Sequence, residues 1–350
     1  MRIFMNTTTS FNLQNYTFVL PEERIARFPR KNRSDARLLY VKENSIQNRN
    51  IVDLVDLLQS GDRLVVNNTK VMKARIHTKR KTGGSVEVFV TKVHDNRHCS
   101  ALIRPSRRIK EGEQFILDRE HTITCLRRND VDWTLHCTPS VSSIMDSFGS
   151  IPIPPYFKRE ANEQDEERYQ SIFADEEGAV AASTACLHID QTLQARLIEK
   201  GVGISAITLH IGTGTFAPLR QEQIETQKLH KEWFSISEQT VQDILETKNN
   251  GGRIIAVGTT VTRCLESVAK KGSFIAQSGE TDLFIQEGFS FQVIDGLLTN
   301  FHLPQSSLLM LVCAFGGRKN ILDAYHHAIQ EEYNFYSYGD AMLVIPDQHL

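Results

Sequence analysis

Two hydrophobic rhythms divide this chain. In residues 13–60 and again beyond about 150, compact apolar runs alternate with stretches of helical period. Between them, from Arg63 to Thr138, apolar residues recur at every second position and turn residues intervene. In the first part LPEERIAR reads as a helix start with Pro21 in its first turn, RLLYV as a strand, and IVDLVDLLQSG as an amphipathic helix closed by Gly61. The middle part holds RLVVNNTK, KARIHTKR, SVEVFVTKV, CSALIRP, EQFIL, HTITCLRR and DWTLHCT, with no helix of length before about Ser140. Short strands at that spacing predict a small antiparallel β-barrel.

IPIPPYFKRE then reads as a proline-stiffened, extended linker, and QDEERYQSIFA as a helix. A second alternating run follows. GAVAAS is a strand, Asp190 caps QTLQARLIEKG, and GISAITLHI ends in the turn GTGTF. Ser235 and Glu238 form an S-x-x-E capping box before VQDILETK, RIIAVG leads into VTRCLESVAKK, and DLFIQ and FSFQV are strands. The stretch GLLTNFHLPQSSLLMLVCAFGG opens as an apolar strand and passes through Thr299, Asn300 and His302. It breaks at Pro304 and becomes a helix capped by Ser306 or Ser307. That helix is apolar on every side and belongs inside a core. The helix ILDAYHHAIQEEY and the segment YSYGDAMLVI follow. The pattern predicts an α/β fold with a mainly parallel sheet, divided into a main domain (1–61 and 150–350) and an inserted basic β-barrel (62–149).

In the 350-residue chain, hydrophobic residues make up 40% and the net charge is −2, as in an ordinary soluble protein. The N-terminus has no signal-peptide core, and the apolar run from Leu308 to Phe315 is too short to span a bilayer, so a cytoplasmic, membrane-free protein is expected. Six scattered cysteines with no CxxC pair, and histidines without metal-ligand spacing, point away from a structural or catalytic metal. The charge is segregated. Residues 62–110 carry thirteen Lys and Arg against Asp62, Glu87 and Asp95, so this stretch holds +10 and the remainder −12. Such a segment suits a polyanion, and its few aromatics favour phosphate contact over base stacking.

Ligands of α/β folds sit beyond the carboxyl ends of strands. Four polar clusters are expected there: Ser183, Thr184 and His188; His210 with Gly212, Thr213, Gly214 and Thr215; Thr259, Thr260 and Arg263; and Thr299, Asn300 and His302. Carboxylates are scarce among them, which disfavours metal-dependent hydrolysis and two-carboxylate glycoside chemistry. LHIGTGTF has a single GxG and no following helix, so it is no dinucleotide fingerprint.

Several strings in this order, among them IPIPPYFKRE, GAVAASTACLHI, TLHIGTGTFAPL, RIIAVGTTVTRCLES, LLTNFHLPQSSLLMLV and YSYGDAML, closely resemble the S-adenosylmethionine:tRNA ribosyltransferase-isomerase family of queuosine biosynthesis. Ser183, Cys186 and Ile189 stand where that family usually has Pro, Gly and Phe. The resemblance implies an open α/β barrel carrying a small inserted β-barrel. It also implies transfer and rearrangement of the ribosyl group of S-adenosylmethionine onto 7-aminomethyl-7-deazaguanine at the tRNA wobble position, releasing adenine and methionine.

No cofactor beyond the S-adenosylmethionine substrate is implied, and a monomer is expected. On this reading His188, His210 and His302 form the proton-transfer pool, with at least one of them expected to titrate near neutral pH. Thr184, Gly212, Thr213, Gly214, Thr215, Thr259, Thr260, Arg263, Thr299 and Asn300 hold S-adenosylmethionine, with Arg263 on its carboxylate. Arg104, Arg107, Arg108 and Lys110 grip tRNA. The alternatives are a tRNA methyltransferase and a non-catalytic tRNA-binding relative.

Overall fold

The computed structural model describes residues 12–43, 45–216, 219–270 and 272–346, with the side chains of 215 and 216 outside that description. Strand alternation builds the main layer. In Arg37–Lys42, Leu39 and Val41 enter one apolar cluster while Leu38 and Tyr40 enter another. Ile254–Val257 and Ala341–Ile345 divide in the same way, so both faces of the sheet are covered.

This sheet has nine strands. Its centre places Arg63–Asn67 between Gly203–Leu209 and Ile254–Val257, with Gly296–Asn300 and Ala341–Ile345 beyond. Four of its eight strand pairings are parallel and four antiparallel, so the sheet is mixed rather than mainly parallel. Arg63–Asn67, expected as the first strand of the insert, is instead central here. Its Leu64, Val65 and Val66 are all fully buried, which a two-sided core requires and a small barrel wall does not.

The second sheet is antiparallel, with seven strands, and contains the stretches Arg75–Lys79 to Trp133–Thr138. The place expected for Arg63–Asn67 is taken by Gly149–Ser150, paired with Arg75–Lys79. This sheet has its own core around Val88, Ala101, Phe115 and Leu135. The helix Val141–Phe148, capped by Ser140, closes it.

Several elements are shorter than the pattern suggests. LPEERIAR forms only a 3-10 turn, Glu22–Arg24, and IVDLVDLLQSG gives a 3-10 turn followed by Leu54–Leu57. The predicted box at Ser235 is absent. Ser235 lies in the strand Lys228–Ile236 and bonds Ser278, while Ser237 caps the helix Glu238–Asn249. FSFQV forms no strand. The linker segment is packed rather than free, since Ile151, Ile153 and Phe157 are buried in a cluster with Tyr169 and Tyr338.

The helix Ser307–Gly316 is capped by Ser306, whose Oγ accepts from the Leu309 N–H at 3.2 Å. Seven of its ten residues are buried. Just ahead of it, Phe301 is fully buried, with its ring edge-on to Tyr325 and Tyr333. Truncating such a ring to alanine costs about 3–5 kcal/mol. The rigid corner 296–307 therefore rests on packing beneath it, and it carries the polar residues at its upper edge.

Candidate functional site

A cavity of about 300 Å³ opens beyond the carboxyl ends of Ile254–Val257 and Gly296–Asn300. Thr184, Thr259, Thr260, Thr299, Asn300 and His302, all expected site residues, line it. Ser183 joins them. Among the described residues, those lining it include no Asp, Glu, Lys or Arg. The helix Thr259–Ala269 starts at this wall, and no side chain caps it. Its first N–H groups are thus a ready site for an anionic group.

The polar groups on the strand Gly296–Asn300 are held by one another. Thr299 Oγ1 and His302 Nε2 are 2.8 Å apart, and the His302 N–H donates to the Tyr325 hydroxyl at 2.9 Å. Asn300 Nδ2 donates to the Tyr336 carbonyl at 2.9 Å and lies 3.0 Å from His188 Nε2. The Tyr336 carbonyl can only accept, so it fixes the amide's orientation, and His188 Nε2 must then be the acceptor. Asn300 Oδ1 is buried and has no hydrogen-bond partner among the described residues. An orphaned acceptor of this kind costs free energy until a donor meets it.

Burial, the leading influence on both imidazoles, holds the pKa of His188 down to about 4 and that of His302 to about 3. Neither titrates near neutral pH, so neither is the imidazole expected to do so. Both are uncharged at neutral pH. His188 also does not line the cavity; it sits behind Asn300, at a small notch beside Arg30, Arg33 and Arg168.

His210 lies elsewhere. It lines a second cavity of about 600 Å³, between the seven-stranded sheet and the nine-stranded one. Its Nδ1 meets Thr69 Oγ1 at 2.8 Å, its ring stacks on Trp233 at 4.9 Å, and burial lowers its pKa. Gly178 is required beneath it: a Cβ there would come within 2.5 Å of His210 Nε2. The three histidines are therefore not one pool. Ile211 lines both cavities and forms a wall common to them.

The glycine turn is likewise outside the first cavity. The Gly212 N–H donates to Glu232 Oε1 at 3.0 Å, and a Cβ at Gly214 would meet the His230 ring at 2.4 Å. Thr213 is exposed, and the Thr215 side chain lies outside the described residues. Arg263, expected on a carboxylate of the ligand, is buried and paired with the buried Glu232. Its charge is already engaged, and the helix N-terminus at Thr259 is the better placed anion site.

Some lining residues escaped the sequence reading. Tyr156 and Tyr336 line the cavity with ring centroids 4.5 Å apart. The polar aromatic run YSYG was the available signal, but it gives no strand-end position. Ser183 and Cys186, the departures from the related families' usual Pro and Gly, contact each other at 3.3 Å. Ile189 is fully buried in the core.

The cationic stretch is more balanced than counting suggests. Arg63, Lys70, Lys73, Arg75 and Arg80 pair with Asp243, Glu177, Glu166, Glu87 and Glu113. Arg104, Arg107, Arg108 and Lys110 are exposed and have no ion pair among the described residues. Arg104 borders a surface hollow with His77 and Lys79, away from both cavities. The six cysteines are free and buried. Among the described residues no three His, Cys, Asp or Glu side chains converge as a metal site, and no helix is long and apolar enough to cross a membrane.

Comparison with known proteins agrees across nearly the whole chain. The profile of the family described as "Queuosine biosynthesis protein" matches residues 13–344. The S-adenosylmethionine:tRNA ribosyltransferase-isomerase of Vesicomyosocius okutanii is 47% identical, covering 95% of this chain and 98% of that protein. That of Nitrosomonas europaea is 45% identical over 96% of this chain and 97% of its own. The crystal structure of S-adenosylmethionine tRNA ribosyltransferase from Thermotoga maritima superposes with a TM-score of 0.56 at 30% identity, covering 95% of this chain and all of that one. With an uncharged cavity at its strand ends and relatives matched along almost its full length, this chain belongs to the S-adenosylmethionine:tRNA ribosyltransferase-isomerase family of queuosine biosynthesis.

Proposed function

We propose that this chain transfers the ribosyl part of S-adenosylmethionine to 7-aminomethyl-7-deazaguanine at the tRNA wobble position and isomerises it. The products are epoxyqueuosine in tRNA, adenine and methionine. The observation that carries the reading is the cavity whose described lining is uncharged and holds hydroxyls, the amides of Asn300 and Gln305, and the His302 imidazole. Such a lining disfavours the protonated form of the aminomethyl group and so supplies a neutral nucleophile. The positive sulfonium acidifies the ribose 5′ protons, and the Thr299–His302 pair is the neutral acceptor within the cavity for one of them. Asn300 Oδ1 accepts from a donor on the adenosyl group, which has both hydroxyls and an exocyclic amine. The N-terminus of the helix Thr259–Ala269 takes the methionine carboxylate.

In the same reading the seven-stranded sheet closes as a small barrel. Its Arg104, Arg107, Arg108 and Lys110 hold the RNA backbone, and a single cytoplasmic copy of the chain acts without a further cofactor. The methyltransferase alternative has no support in the family assignment. Incubation with S-adenosylmethionine and precursor-bearing tRNA tests the proposal. Chromatography should show adenine and methionine in equal amounts. S-adenosylhomocysteine in their place, or no product at all, rejects it.

A further inference from the structure

The second cavity has no role in the chemistry above, yet it is built. It lies where Thr91–Asn96 and Val141–Met145 of the seven-stranded region face His210, Ile211 and Trp233 of the main sheet. Trp233 is 41% exposed, whereas its neighbour Phe234 is fully buried. One face of the indole is covered by His210 at an interplanar angle of 21°. Thr69 holds the imidazole from behind, and Gly178 leaves room for it. The result is a two-ring platform, rigidly backed and open on its outer side.

The charges around it select the kind of group that fits. Glu177, Glu232 and Glu280 line the cavity, and each is already paired, with Lys70, Arg263 and Lys231 respectively. Asp95 accepts from the N–H groups of Arg97 and His98. A phosphate would be repelled from such a floor, whereas an uncharged heteroaromatic ring would not. Lys92, at the same cavity, has no ion pair among the described residues and is free for the phosphate attached to that ring. A flat neutral ring joined to a phosphate is an unpaired nucleotide.

We propose that the His210–Trp233 platform stacks an unpaired RNA base adjacent to the wobble nucleotide, while the wobble base itself enters the neighbouring cavity across Ile211. This rests on the tRNA-modifying function proposed above and assigns to that function a separate base-holding subsite.

Trp233 reports on the proposal directly. The chain has two tryptophans, and the other, Trp133, is buried in the core of the seven-stranded sheet. Titration with a synthetic anticodon stem-loop RNA should quench the native fluorescence, and W233F should abolish the quench. W233A should weaken stem-loop binding, measured by anisotropy of labelled RNA, by about 5- to 100-fold. S-adenosylmethionine affinity by calorimetry should stay unchanged.

An abasic stem-loop lacking the stacked base should bind native chain and W233A alike, because the lost interaction is the same one. Stem-loop binding without any quench, or equal affinity of native chain and W233A for the intact loop, overturns the proposal. Adenine release by the native chain reports separately on the function itself. Its absence alongside a quench would reject the ribosyl-transfer reading and leave the platform standing.

Discussion

The cavity at the ends of Ile254–Val257 and Gly296–Asn300 and the outer surface of the seven-stranded sheet satisfy their polar groups in opposite ways. In the cavity Ser183, Thr259, Thr260, Thr299, Asn300 and His302 are buried, and the deepest polar groups are held by a neighbour: Thr299 by His302, Asn300 by His188 and Tyr336. On the sheet surface Arg104, Arg107, Arg108 and Lys110 stand in solvent with no acid partnered to them among the described residues. A low-dielectric, prearranged site suits bond making, because its dipoles need no reorganisation as charge develops. Exposed cations suit a long polyanion, which they attract at a distance and release as salt rises. On the function proposed above, position and charge sort the two regions into chemistry and capture.

That contrast can be broken most severely at its buried end. Arg263→Ala would leave Glu232 charged, buried and without its guanidinium, and should lower stability by about 3–5 kcal/mol, read from chemical denaturation. A variant as stable as the native chain would mean that the pair is not formed in solution.

His302→Ala comes next. It leaves a folded chain that binds tRNA, and adenine release should fall by about 100-fold or more. Full activity would remove the imidazole from the mechanism.

At the exposed end, replacing Arg104, Arg107 and Arg108 together with Gln should weaken tRNA binding at low salt. It should also reduce the slope of log K against log salt by about 2 to 3, with S-adenosylmethionine affinity unchanged. An unaltered slope would move the RNA to another face.

The smallest effect concerns pH. In the unfolded chain His188 and His302 titrate near 6.5, whereas burial holds them to about 4 and about 3 when folded. Between pH 6.5 and 4 the unfolded chain therefore binds more protons, and the melting temperature should fall as pH falls. His302→Asn should flatten that decline. A decline of the same steepness would place its cause in other groups.

Particular residues show where reading the sequence succeeded and where it stopped. The strand–turn–helix corner from Gly296 to Gly316 was legible because its signals are local: an apolar run, Pro304, and Ser306 capping the next helix. The cavity wall at Thr184, Thr259, Thr260, Thr299 and Asn300 followed from the rule that ligands lie beyond strand ends. The strand Arg63–Asn67 was misplaced because alternation near a turn looks the same whether the partner strand is nearby or far along the chain. Arg263 and His210, expected beside the other strand-end residues, lie outside the first cavity for a related reason. Their partners, Glu232 and Trp233, lie on a strand that brings them close only in the folded chain.

Local periodicity and the order of the motifs thus determined many of the strands and helices and the residues at the ends of Ile254–Val257 and Gly296–Asn300. These depend on neighbours a few positions apart, whose spacing is written directly in the chain. Tertiary structure alone decided which of those residues share a cavity, which cations are already neutralised and which imidazoles are held uncharged. Desolvation and ion pairing depend on what lies across space, and that is set by the packing of distant segments.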